Sequence, residues 1–311
     1  MSLLRNVGVG VEVARVKQIN DLIGDLLFPP PSVHSDAPQP EWENYTGFKA
    51  TDRAIRGSFY CPSKCGVPLT WDIIFTRLVI IDSLWSTTTR MGFFVKENVA
   101  TALWNASEDS NGVHTDATLA TKADEYVQWA IGKGAKTQGA AEVEDLFAQK
   151  YPCYVGSNQN ITGKHQWSLL SKYLHFLVET QMPQNTLGFP IYDNIVAKIL
   201  PKVFDYALLK KRCKCKSIKD YTHSLHVLIH HIQTTHPVWN TQIGMTPYHI
   251  IDRFLWTLGK VRRVTIKNEP LTTLSYLVSQ AEFKTMVTSG KLSPQLQPWA
   301  AFLQKNYTYF K

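Results

Sequence analysis

The chain has 311 residues, 44% of them hydrophobic, with a formal net charge of +8 and a sequence pI near 9.1. This composition excludes a disordered or low-complexity chain and suffices for one large domain or two modest ones, each with its own core. No run approaches the ~20 apolar residues that a membrane span needs, and the opening MSLLRNVGVGVEVARVK lacks an apolar h-region with a small-residue cleavage site, so the sequence predicts a cytoplasmic protein with no membrane partner.

In chain order, residues 11–27 repeat apolar positions at helical spacing. FPPPSVHSDAPQPEWEN follows with five prolines and reads as an extended connector, and residues 46–70 read as irregular. From Trp71 the pattern turns helical: 72–85, 90–107, 120–134, 141–151, 165–181, 193–211 (bent or interrupted at Pro201), 220–236, 246–260 and 272–287. RRVTIK is the best strand signal. The expected fold is mostly α: residues 1–70 form an N-terminal helix and Pro-rich segment, 71–205 a helical core, and 206–311 a C-terminal helical lobe. A ligand is expected in the cleft between lobes.

Positive charge clusters in two places. KKRCKCKSIK carries Lys210, Lys211, Arg212, Lys214, Lys216 and Lys219; GKVRRVTIK carries Lys260, Arg262, Arg263 and Lys267. Each reads as a phosphate-contacting patch or as a solvated loop beside a helix end. The five cysteines are odd in number. Cys61, Cys65, Cys213 and Cys215 could hold zinc, but their spacing is wrong for an ordinary zinc ribbon, and reduced thiols are the simpler expectation. His223, His226 and His230 share a helix but lack a clear carboxylate or Cys partner, so no metal and no cofactor is expected. GKGAKTQG (132–139) lacks the strand and residue order of a phosphate loop.

The chemistry points to Lys172 and Asp193. Lys172 stands among Leu, Tyr and Phe in SLLSKYLHF, where desolvation lowers an amine's pKa and frees a nucleophile. Asp193 follows Pro-Ile-Tyr and opens a helix, where it serves as an N-cap, as chemistry, or as both. Two consecutive antiparallel helices could bring the pair to one cleft.

LVIIDSLWSTTTRMGFFVKENVATAL resembles the opening helix pair of the helix-hairpin-helix DNA glycosylases, and SLLSKYLHFL…GFPIYDNIVAKIL resembles that family's active-site stretch. SKYLHF, FPIYD and IDRFLW are most similar to a bacterial branch with the fold of 8-oxoguanine DNA glycosylase; the resemblance spans roughly residues 71–260. It implies a two-lobed helix-hairpin-helix glycosylase-like fold with an irregular N-terminal segment. It implies Asp193 as the catalytic carboxylate and Lys172 as the lysine of members that also cleave the strand. The turn WSTTT, with Trp85, Ser86 and Thr87, corresponds to the one that presses into the DNA stack. Trp167, Tyr173, Phe176 and Tyr192 are candidates to line the base pocket or, alternatively, belong to the core.

The family's hairpin usually reads Leu-Pro-Gly-Val-Gly before the lysine; this chain reads HQWSLL there, and Lys164 and His165 are the candidates to grip phosphate instead. Lys210, Lys211, Arg212, Lys214, Arg262 and Arg263 complete the expected phosphate contacts. The resemblance implies a monomer that acts on double-stranded DNA and removes a damaged base, or a bulky modified base of phage DNA. The alternative is a helical nucleic-acid-binding protein that kept the scaffold and lost the chemistry.

Overall fold

The computed structural model describes residues 2–27, 54–60, 68–84, 93–155, 160–182, 187–209, 213, 215–235, 246–275, 277–278 and 280–311. The expectations for Trp85, Ser86, Thr87, Cys61, Cys65, Lys210, Lys211, Arg212 and Lys214 lie outside the described residues.

The chain is mostly helical, as its periodicity predicts. In order come α1 (Ser2–Leu27), α2 (54–60), α3 (Trp71–Leu84), α4 (Phe93–Ala106), α5 (Asp116–Ala130) and α6 (Gln138–Ala148). A hairpin of β1 (Tyr151–Val155) and β2 (Asn160–Lys164) follows, then α7 (Trp167–Gln181), α8 (Asn194–Tyr206), α9 (Ile218–Thr235) and α10 (Pro247–Thr265). A 3-10 turn (Leu271–Leu274) leads to α11 (Gln280–Ser289), α12 (Gln297–Lys305) and α13 (Tyr307–Phe310). No described helix is long and apolar enough to cross a membrane.

Several local expectations are corrected. The stretch before α7 is an antiparallel hairpin with Tyr151 opposite Lys164 and Val155 opposite Asn160. RRVTIK is not a strand: its first four residues end α10, because the helical period that begins at Pro247 continues through it. Residues 272–287 split into the 3-10 turn and α11. Helix α8 ends at Tyr206 rather than 211, and it runs unbroken through Pro201. Residues 54–60, expected to be irregular, form α2.

Caps set several helix starts. Thr115, Thr137 and Thr246 accept the Thr118, Ala140 and His249 backbone N–H groups and open α5, α6 and α10. Helix α7 is central: every residue from Leu169 to Val178 is buried. Helix α10 is nearly as enclosed, with Tyr248 through Leu255 all buried. One hydrophobic cluster runs from Val16 and Ile19 on α1 to Leu303 and Phe310 at the C-terminus. Polar ties add to it. Arg15 on α1 donates to the Tyr309 hydroxyl at 2.8 Å, and the Tyr206 hydroxyl donates to Gln18 at 2.6 Å.

Arg77 on α3 pins α2, α5 and α7 together. It is 1% exposed and forks onto Asp116, Nη1 to Oδ1 at 2.7 Å and Nη2 to Oδ2 at 2.8 Å. Nη1 also reaches the Tyr173 hydroxyl at 3.2 Å, and Nε reaches the Ser58 carbonyl at 3.1 Å. Its guanidinium lies over the Phe59 ring at 4.4 Å.

Candidate active site

The loop 188–193 enters α8 with its backbone held on several sides. Gly188 has φ +77°, a conformation that favours glycine, and a Cβ there would meet Thr246 Oγ1 at 2.4 Å. The loop therefore lies directly on the cap of α10. The Phe189 carbonyl accepts from His175 Nδ1 at 2.8 Å, and the Ile191 carbonyl accepts from the Tyr221 hydroxyl at 2.7 Å. The Tyr192 N–H donates to Ser171 Oγ at 2.8 Å. Asp193 then caps α8, its Oδ1 accepting the Ile195 N–H at 2.6 Å. Side chains from α7, α9 and α10 thus fix the path of the loop, and the cap aims the carboxylate. The side chain sits half-buried at a helix N-terminus, where the dipole favours its charge.

Within the electrostatic reach of Asp193 is Lys172, 2% exposed. Burial pushes its pKa below the ordinary lysine value, although Asp193, Asp252 and Asp82 act in the opposite direction; Arg253 adds to the lowering. The sequence places Lys172 and Asp193 on successive helices, and the fold brings them within electrostatic reach.

The site continues inward as a buried polar seam that the apolar character of SKYLHFL conceals. Lys172, His175 and Glu179 share one stripe of α7, and His249, Asp252, Arg253, Trp256 and Lys260 share one face of α10. The His175 and His249 rings are 4.8 Å apart. His249 Nδ1 reaches Glu179 Oε1 at 3.0 Å, and Thr246 Oγ1 donates to the same oxygen at 3.0 Å. Arg56 Nη2 lies 2.7 Å from Glu179 Oε2. Arg253 Nε donates to His249 Nε2 at 3.3 Å. Burial drives the His175 pKa down to about 4. Burial pushes the Glu179 carboxyl upward, but His175, His249 and Arg56 outweigh it, and the net displacement is well below the usual carboxylate range.

His175, Glu179 and His249 present ligand atoms within 4.8 Å of one another, the one such group among the described residues. The charges argue against a cation there. Arg56 already occupies Glu179, and Arg253 already occupies the His249 Nε2 lone pair, so two guanidinium groups hold the ground a metal would need. The histidines of α9 do not gather three ligand atoms: His223 and His230 are exposed and His226 is half-buried.

The other expected residues fall into two sets. Trp167 and Tyr192 are half-buried and meet edge to face at 5.2 Å beside Asp193, with His165 5.4 Å beyond Trp167. Lys164 and His165 are exposed at the end of β2. Tyr173 and Phe176, in contrast, are fully buried against Phe59, far side inward on α7. Arg262 Nε donates to the Phe310 carbonyl, and Arg263 pairs with Glu269 at 2.6 Å. Both guanidiniums therefore have structural partners. Cys213 and Cys215 have sulfurs 3.9 Å apart.

Sequence reasoning missed the seam's α10 half. The available signal was the spacing of His249, Asp252, Arg253, Trp256 and Lys260, a polar helical stripe inside a segment with apolar neighbours. No family model, curated protein or solved structure matches this chain.

Proposed function

We propose that the protein is a DNA glycosylase that releases a damaged or modified base from duplex DNA. The observation that carries this reading is Asp193, a carboxylate locked at a helix N-terminus and half open to solvent, whose charge acts on a buried lysine of lowered pKa, Lys172. Cleavage of an N-glycosidic bond builds positive charge on the sugar, and a fixed carboxylate stabilises that charge or activates water. The target base leaves the stack first, and the half-exposed rings of Trp167 and Tyr192 are the surfaces available to stack on it. Tyr173 and Phe176 back the site from the core and take no part in stacking.

Lys172 supplies the second chemistry. As a neutral amine it attacks the sugar C1′ as the base departs with the bonding electrons; the amine proton passes to O4′ as the C1′–O4′ bond breaks and the sugar ring opens, which gives a Schiff base, and loss of a C2′ proton then expels the 3′ phosphate and cleaves the strand. Its closure from solvent means that this route needs an opening step, whereas water activation by Asp193 does not. A bulky modified base of phage DNA is one candidate substrate beside a damaged base, and its release would make the activity a defence against invading DNA.

The test is to incubate the protein with duplexes containing oxidised, alkylated, uracil or phage-modified bases and to measure abasic sites. Asp193→Asn is expected to abolish abasic-site formation and to keep duplex binding, since Asn caps a helix about as well as Asp. Full activity in that variant overturns the assignment. The second reading, a DNA-binding protein without chemistry, is favoured by the β-hairpin at 151–164, which occupies the stretch before the lysine helix. It predicts duplex binding and no base release from any of these substrates.

A further inference from the structure

We propose that a basic face formed by α9 and the turn after α5 holds the phosphate backbone of duplex DNA beside the Asp193 loop. Four groups of α9, Lys219, His223, His226 and His230, recur at helical spacing on its outer side. Two lysines, Lys133 and Lys136, come from the turn that Gly132 makes at φ +78°. Trp129 at the end of α5 joins the two groups: Lys219 Nζ lies over its ring at 3.5 Å and Lys136 Nζ at 5.1 Å. The His226 and His230 rings are 6.5 Å apart. Burial first, then Lys133, His230 and His223, holds the His226 pKa down at about 4, so this ring meets a phosphate as a neutral hydrogen-bonding group. Three acids stand nearby: Glu144, paired with Lys136 at 2.5 Å, Glu125, held by the Thr137 hydroxyl at 2.6 Å, and Asp220 in the first turn of α9, which leaves Lys133 and Lys219 as the cations the test removes.

The dimensions fit a polyanion rather than one phosphate. From residue 219 to 230 a helix rises about 16 Å at ~1.5 Å per residue. One DNA strand sets a charge about every 3.4 Å, so the face matches roughly five phosphates. Its place in the fold also fits. The same two helices support the Asp193 loop from within, through the Tyr221 hydroxyl on the Ile191 carbonyl, the Tyr192–Tyr221 edge contact at 5.1 Å, and Tyr126 against Phe189 at 6.2 Å. The stripe lies on the side of α9 opposite Tyr221, so phosphates held here stand about one helix width, ~10 Å, from the Asp193 loop.

This inference rests on duplex DNA being the partner, but not on base release. The measurement is affinity for an undamaged duplex of about 20 base pairs over a salt series, by fluorescence anisotropy. Lys133→Gln with Lys219→Gln is compared with Lys284→Gln with Lys291→Gln, which removes equal charge from exposed positions of α11 and the turn after it. The first pair is expected to weaken binding roughly tenfold or more at 0.1 M salt and to flatten the log–log salt slope by about 1.8, at ~0.9 per lost phosphate contact. The control pair is expected to leave both unchanged. Equal losses in both pairs, no loss in the first, or equally tight binding of a polyglutamate overturns the proposal. His223→Gln with His230→Gln, both exposed, guards against misfolding of the Lys219 variant and is expected to cost several-fold in affinity with no change in melting temperature; unchanged affinity counts against the proposal. If the face binds as proposed and no duplex yields abasic sites, the glycosylase reading fails and this one stands; if abasic sites form while the first pair binds as wild type, the reverse holds.

Discussion

His249 Nδ1 lies 3.0 Å from Glu179 Oε1, which joins α10 to the central helix α7 through a buried carboxylate. With Arg253 donating to His249 Nε2, the imidazole proton resides on Nδ1 and is donated to Glu179. His175 likewise donates its Nδ1 proton to the Phe189 carbonyl, and its Nε2 faces Glu179 Oε2 at 3.4 Å. This seam holds the loop that presents Asp193.

The seam predicts acid lability. The folded His175 pKa is depressed to about 4 from 6.5, so below pH 6.5 the unfolded chain takes up the proton first. The stability from neutral His175 is complete above pH 6.5 and is lost as pH falls through about 4. At ~1.4 kcal/mol per pKa unit this amounts to about 3 kcal/mol. Glu179, also depressed, adds a loss of the same sign at lower pH. Thermal melts should show the midpoint falling between pH 6.5 and 4, and His175→Gln should flatten that portion; a flat wild-type profile contradicts the assignment.

Arg77 and Asp116 give a stability prediction. Arg77→Met leaves Asp116, 7% exposed, as a buried carboxylate without its guanidinium, at a cost of about 3–5 kcal/mol. Arg77→Met with Asp116→Leu removes both charges and should cost clearly less. Urea midpoints of the two proteins separate the cases, and equal losses would mean that packing rather than charge dominates at this position.

The helical periodicity made most elements legible, because apolar faces at 3.6-residue spacing survive any topology. The Asp193 cap was legible too, since Asp before an apolar helix is a local signal. Two things were not. The β1–β2 hairpin has short, mixed strands whose pairing is the only evidence for them. The seam depends on which faces of α7 and α10 meet: Lys172, His175 and Glu179 form a polar stripe on α7, but a polar stripe ordinarily faces solvent, and nothing in the sequence says that this one is buried against the stripe of α10. Tyr173 and Phe176 illustrate the consequence: beside Lys172 in sequence, they point into the core against Phe59.

Gly259 tests how tightly α10 sets the geometry of Asp193. A Cβ at this position would meet Ile195 Cγ2 at 2.4 Å, and Ile195 is the residue whose N–H Asp193 caps. Ile195 is β-branched and rigid at χ1, so the helix itself must move. Gly259→Ala should cost about 1–3 kcal/mol in stability and reduce base release more than duplex binding. Ile195→Ala in the same chain should restore much of the release by making room; no effect of Gly259→Ala on either quantity would show that the α8–α10 contact does not position the carboxylate.

In the proposed glycosylase, Lys172 and Asp193 would divide the chemistry in a way that trapping can read. Borohydride reduction during turnover should link the protein to DNA through Lys172, and Lys172→Met should abolish the adduct. Lys172→Arg should not rescue it, because a guanidinium stays protonated and is no nucleophile. If Asp193 activates water by itself, Lys172→Met still releases base and leaves an uncut abasic strand, whereas Asp193→Asn loses release and adduct together. The pH dependence carries a sign. Burial lowers the Lys172 pKa, so the neutral, attacking fraction at any pH below the ordinary lysine value exceeds that of an exposed lysine, and trapping should rise with pH until that amine is fully deprotonated. An adduct that survives Lys172→Met assigns the Schiff base to another amine, and Lys260, half-buried within the field of Asp193, is then the first to substitute.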